Sequence, residues 1–132
     1  MSEEFTQFLK TREEAARAYV RGDGTPLESL VSQQGDACFH SPGGDTVTGA
    51  GAVAERYRKD ATAFRPEGVT HFEVLQQSTS GELGFWTGFQ IATAQIGDMP
   101  APMDMKIRVT EVFHKQHGQW KMVHRHADMS KD

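Results

Sequence analysis

Cysteine is almost missing from this chain, and so are runs of basic residues, long apolar segments, internal repeats and low-complexity stretches. A single cysteine, Cys38, excludes an internal disulfide. Its neighbours Ala37 and Phe39 point to a buried, inert thiol, which fits a reducing, cytoplasmic setting. Lysine and arginine number 14 against 18 acidic residues, and no basic run exceeds two, so the charge footprint of a nucleic-acid binder is absent. No apolar segment approaches the roughly 20 residues that span a bilayer, and the start Met-Ser-Glu-Glu does not read as a leader. The expectation is a soluble protein with neither membrane nor nucleic-acid partners. No glycine-rich phosphate cradle follows a strand, and neither Ser41 nor Cys38 has a recognisable base and acid around it, so neither nucleotide binding nor nucleophilic hydrolysis is indicated.

What remains is 132 residues, enough for one domain with a real core, expected over residues 1–132. From Ser2 to Arg21 apolar residues recur at helical spacing (Phe5, Phe8, Leu9, Ala16, Tyr19, Val20), with Glu3 and Glu4 in the first turn and Gly22 as the stop. A second helix is expected from "TPLE", with Thr25 as cap and Glu28 completing a capping box, running to about Gly35. "ACFHSPGGDTVTG" reads as a short strand, a turn and a polar return. "AGAVAERYRKDATAF" reads as a third helix closed by Pro66, with Val53, Tyr57, Ala61 and Phe64 as its stripe. Four strands follow, at about 69–79, 83–96, 104–115 and 119–128. Three helices ahead of a run of antiparallel strands predict an α+β domain in which the helices cover one face of a curved sheet.

The last two strands carry the chemistry. "QHG" fits a three-residue hairpin loop with Gly118 in the left-handed conformation, which sets Lys115 opposite Gln119 and Val109 opposite Arg125. Alternation then puts Ile107, Val109, Glu111, Phe113, Val123, Arg125 and Ala127 on one face. The other face takes Arg108, Thr110, Val112, Trp120, Met122, His124, His126 and Asp128. Glu111 lies diagonal to Arg125 on an otherwise aliphatic face, where unpaired charge is costly. Two readings stand: a structural ion pair, or a polar pair inside a cavity. His124, His126 and Asp128 share a strand face, but Arg108 opposes His126 and alternate residues sit about 7 Å apart, so hydrogen-bonded histidines are expected there and no metal site.

Three stretches, "ACFHSPGG", "TGAGAVAERYRKD" and "TEVFHKQHGQWKMVHRHADMS", together resemble the SnoaL-like and ketosteroid-isomerase-like members of the nuclear transport factor two-like superfamily. The last is also similar to the end of the calcium/calmodulin-dependent kinase association domain. The resemblance implies a cone-shaped α+β barrel: a bent, mostly antiparallel sheet around the first helix, with an apolar pocket at its wide end. It places Val123, Arg125 and Ala127 on the pocket side and the two histidines outside. Ketosteroid isomerases use an aspartate base with a tyrosine and a protonated aspartate as oxyanion donors. Ser41 stands where that base falls and Ala15 near the tyrosine position, so those residues are not repeated. The pocket arginines of the association domain fall at Glu111 and Ala127, so the resemblance does not carry its anion chemistry over.

The expected pocket lining is Tyr19, Phe39, Ser41, Tyr57, Phe113, Val123 and Ala127, with Glu111 moving a proton and Arg125 orienting a small apolar substrate. This predicts a cofactor-free isomerase, cyclase or hydratase-type enzyme; the alternative is a non-catalytic ligand-binding or oligomerisation module. The "IGDMPAPMDM" connection is expected to form a methionine-rich lip at the pocket mouth. A homodimer through the outer sheet face, burying Trp120 and Met122, is the expected assembly.

Overall fold

The computed structural model describes residues 3–131; the expected helix start at Ser2 lies outside them. The order is α1 (Glu3–Tyr19), α2 (Thr25–Leu30), β1 (Cys38–His40), β2 (Thr46–Thr48), α3 (Ala50–Ala61), β3 (Val69–Ser80), β4 (Leu83–Ala94), β5 (Met103–Gln116) and β6 (Gln119–Met129). The strands form one open sheet in the order β2-β1-β6-β5-β4-β3, antiparallel except where β1 runs parallel to β6. The helices pack against its concave face, giving the expected cone-shaped α+β fold with the sheet left unclosed.

α1 forms because Phe5, Leu9, Arg12, Ala16 and Tyr19 fall at three- and four-residue spacing on one stripe, and the acidic first turn meets the helix dipole. It stops at Gly22, whose φ of 103° needs a residue without a Cβ. α2 differs from expectation at both ends. Gly24 takes the cap position without a side-chain bond, while Asp23 Oδ1 accepts from the Thr25 N–H at 3.0 Å. The helix ends at Leu30 because Val31, fully buried, turns extended and bridges to Met122, with the Ser32 N–H donating to the Met122 carbonyl at 2.9 Å.

Two β-bulges bend the sheet around α1. Leu75 is the extra residue between the Val74–Gly88 and Gln76–Thr87 pairs, and a side chain at Gly88 would start 2.1 Å from the Glu73 carbonyl oxygen. The second bulge corrects the expected last hairpin. Its loop is two residues, His117 and Gly118, both at positive φ (53° and 79°), so Gln116 rather than Lys115 faces Gln119. Val123 is then unpaired between Phe113–Met122 and Val112–His124, which shifts the register once more. Glu111 therefore sits directly opposite Arg125, and Val109 opposite Ala127.

The bulge also changes which side chains point inward. Trp120 and Met122, expected on the outer face, are buried at 7% and 2% exposure, and Trp120 packs edge-on to Phe5 at 5.0 Å. They belong to the core and offer nothing to a partner. His124 and His126 remain on the outer side beside His40, with ring centroids 5.2 and 5.1 Å from it.

Candidate functional site

One carboxylate organises the centre of the fold. Glu111, at 0% exposure, accepts four hydrogen bonds. Arg12 of α1 approaches with both Nε (2.9 Å to Oε1) and Nη2 (2.8 Å to Oε2), the Trp86 indole donates to Oε1 at 2.8 Å, and Arg125 Nη1 donates to Oε2. Arg125 Nη2 continues to Gln90 Oε1 at 2.9 Å, and Gln90 Nε2 to the Thr70 hydroxyl at 3.2 Å. Burial alone would raise the Glu111 pKa, but the two guanidiniums overrule it and hold the group at about 2. Glu111 is thus ionised at neutral pH, with both oxygens occupied. The proton-carrier role expected for it gives way to that of a buried counter-ion, because it is shielded from the cavity by the groups it binds.

That cavity, about 310 Å³, lies between α1, α3 and the sheet and is mostly apolar-walled. Its volume stands at the lower end of the ~300–1,000 Å³ common for small-molecule sites. Of the residues expected to line it, Tyr19, Phe39, Ser41, Tyr57 and Arg125 do so. Four do not. Glu111 sits behind Arg12 and Arg125, and Phe113 packs against Phe5 and Phe8 in an aromatic cluster, with centroids at 5.7 and 5.0 Å. Ala127 is sealed in the core, and Val123, the bulge residue, lines a shallow depression with Ala37 and Cys38. The β4–β5 connection contributes Ile96 to the wall, with Met105 beyond it, while Met99 is exposed.

Two polar atoms of the lining residues stand out. Arg12 Nη1 and the Tyr57 hydroxyl are buried and have no hydrogen-bond partner. Burial pushes the pKa of Tyr57 up, and that of Tyr19 to about 12, so both phenols stay protonated and serve as donors. At the other end, Ser41 donates to Asp45, and Arg56 joins Asp45 (2.6 Å) to Asp60 (2.7 Å), so the mouth is laced by solvated ion pairs. Arg56 and Asp45 pull each other's pKa apart there: hydrogen bonds from Arg56 and then Ser41 hold Asp45 at about 2.

The outer histidines are hydrogen-bonded. His124 Nδ1 meets the Cys38 thiol at 2.9 Å and His40 Nδ1 meets the Thr46 hydroxyl at 2.8 Å. Among the described residues no three His, Cys, Asp or Glu side chains are grouped to hold an ion. No helix of those residues is long and apolar enough to cross a membrane.

Arg12 and Trp86 are the two partners of Glu111 that the sequence reading did not bring to it. A signal for Arg12 existed: it is the one charged residue on the stripe Phe5-Leu9-Arg12-Ala16-Tyr19, and a charge at a core-facing position needs a buried partner. Gln90 and Trp86 are likewise inward-facing on β4, whose burial alternates strictly from Gly84 to Ala94.

A helix-lined cavity in the mouth of a bent six-stranded sheet is an arrangement that sequence models can recognise, and a model of the SnoaL-like domain matches residues 9–130. The chain belongs to the SnoaL-like domain family. No curated protein matches this SnoaL-like domain in sequence. Among solved structures it is similar to a nuclear transport factor 2 (NTF2-like) superfamily protein from Salmonella enterica serovar Typhimurium, with TM-score 0.80 and 17% identity over 98% of this chain and 91% of that one. It is also similar to a candidate dehydratase of the NTF2-like family from Streptomyces avermitilis (TM-score 0.70, 20% identity, 87% of each chain). A third likeness is to a candidate calcium/calmodulin-dependent protein kinase type II association domain from Thiobacillus denitrificans (TM-score 0.63, 20% identity, 86% of this chain and 87% of that one). At these identities the likeness is one of fold.

Proposed function

We propose that this SnoaL-like domain binds a small, mostly apolar organic molecule in the cavity between α1, α3 and the sheet. The observation that carries the reading is an apolar-walled space of about 310 Å³ with the buried Arg125 guanidinium among its lining groups. The residues in contact with such a molecule are Tyr19, Phe39, Ser41, Tyr57 and Arg125, joined by Arg12; Glu111 fixes both arginines in place. The chemistry this supports is cofactor-free and of isomerase or lyase type. Arg125, which lines the space, would orient the molecule. The free thiol of Cys38 fits a cytoplasmic setting.

Ala92, 3% exposed, lines this space. Replacing Ala92 with Phe is expected to fill part of the void, keep the unfolding free energy within about 1 kcal/mol of the parent, and abolish binding of apolar probes followed by ligand-observed NMR. Undiminished binding by a folded Ala92→Phe variant would place the ligand elsewhere.

For assembly we propose a homodimer through the outer sheet face, with different residues from those first expected. Phe85, Phe89, Ile91 and Val112 alternate outward and are only half-buried, with Leu75 67% exposed beside them. Light scattering at micromolar concentration should read twice the chain mass; a monomer there rejects this interface.

A further inference from the structure

The size of the cavity limits what it can hold. An apolar cavity of about 150 Å³ takes up one benzene, which is about 25 Å³ for each heavy atom of the guest. On that scale the space between α1, α3 and the sheet, about 310 Å³, seats about a dozen heavy atoms. A four-ring steroid, with about twenty heavy atoms, would need about 500 Å³. Its surplus rings would have to lie on the mouth, where Arg56 is bonded to Asp45 (2.6 Å) and to Asp60 (2.7 Å). Apolar rings laid over that rim would strip water from its charges.

The walls differ in character. Four lining rings follow one another along α1, β1 and the end of α3: Phe39 lies 4.8 Å from Tyr57, Tyr57 6.5 Å from Tyr19, and Tyr19 5.3 Å from Phe64, centroid to centroid. The sheet side offers aliphatic groups, Ala92, Met105, Ile107 and Met129. A ring set against rings gains more than its buried area alone supplies. It also has little internal freedom to lose on being seated, whereas a flexible chain of the same size must be ordered.

Arg125 fixes the polar end. Its backbone pairs with that of Phe39 across the β1–β6 seam, and its charge reaches both Tyr57 and Tyr19, so the guanidinium stands beside the aromatic wall. Nη1 and Nη2 are engaged with Glu111 and Gln90, and 10% of the side chain stays open where it lines the space. A guanidinium only donates, so the group that meets it must accept. A carbonyl oxygen accepts without bringing a proton of its own that an apolar wall would leave unpaired.

Building on the small-molecule reading above, we propose that the ligand is a single-ring carbonyl compound of about ten to twelve heavy atoms, with its ring against Phe39, Tyr57, Tyr19 and Phe64 and its oxygen toward Arg125. Molecules of steroid size exceed the space, and open chains of the right size forgo the contact with the rings.

The test is ligand-observed NMR titration of the full chain with propiophenone, with methyl heptyl ketone (an open chain of equal size), with butylbenzene (equal size, no oxygen) and with androstenedione. Propiophenone should bind about three- to tenfold more tightly than the open-chain ketone. It should bind about tenfold more tightly than butylbenzene and the steroid. Phe64→Leu keeps an apolar side chain at a half-buried position and should narrow the gap between the two ketones. Equal binding by the steroid would overturn the size class, equal binding by the open-chain ketone would overturn the ring, and equal binding by butylbenzene would overturn the carbonyl; each leaves the small-molecule reading standing. A gap untouched by Phe64→Leu would overturn the seat against the aromatic wall. No binding by any of the compounds would overturn this proposal together with the pocket reading beneath it.

Discussion

Replacing Glu111 by Gln is expected to lower the unfolding free energy by about 3–5 kcal/mol, because it strands two buried arginines without their counter-ion. The substitution keeps the size of the side chain, so the loss reports charge and hydrogen bonding rather than a cavity. Urea denaturation at neutral pH reads it as a fall in midpoint at constant slope. The same group predicts an acid limb. Its pKa is lower folded (about 2) than its ordinary value of 4.5, so its stabilisation is complete above pH 4.5 and is lost as pH falls toward 2. The parent should therefore lose stability across that window, whereas Glu111→Gln, already deprived, should show a flatter profile there. A Gln variant with an unchanged midpoint would show that the arginines do not depend on this carboxylate.

Deleting Val123 should be more damaging still. Removing the bulge residue forces β6 to pair continuously, and a one-residue slip sends alternate side chains to the opposite face. Either Trp120 and Met122 leave the core, or Arg125 and Ala127 leave it; both sets are buried now. The expected loss is comparable with the whole stability of an ordinary domain, about 5–15 kcal/mol, and is read as missing near-ultraviolet dichroism and no cooperative unfolding. Val123→Thr, which keeps the residue count, should fold. A deletion variant with the parent's cooperative transition would mean that the bulge is not what sets the two inward-facing pairs.

The elements themselves were legible in the sequence because their signals are local and repeated. β3 to β6 were anticipated to within two residues at each end by turn residues and alternation, and α1 by its stripe. The register of the final hairpin was not legible, for a physical reason. The loop "QHG" accommodates either a two- or three-residue turn, and His117 at positive φ is the less common choice for a non-glycine residue. A bulge at an unremarkable valine carries no composition signal at all. The two slips together moved Trp120 and Met122 from one face to the other while leaving Glu111 and Arg125 on the same side, so the pairing of charges was legible and their surroundings were not. Arg12 lay 99 residues away in sequence from its partner, beyond any local pattern, though its place on an apolar stripe marked it as needing one.

β6 sits between β1 and β5 in the sheet although it is the last strand in the chain. During synthesis the ribosome releases the short β1–β2 pair long before the strand that joins it to the long meander exists. Arg12 emerges with neither Glu111 nor Arg125 available, and the cavity lacks Arg125 and Met129 until β6 docks. Docking of β6 between β1 and β5 is therefore a long-range capture, of the kind that slows folding through loop closure. Chains halted before β6 lack Arg125 and the strand that ties β1 to β5, so ligand capture waits for that strand.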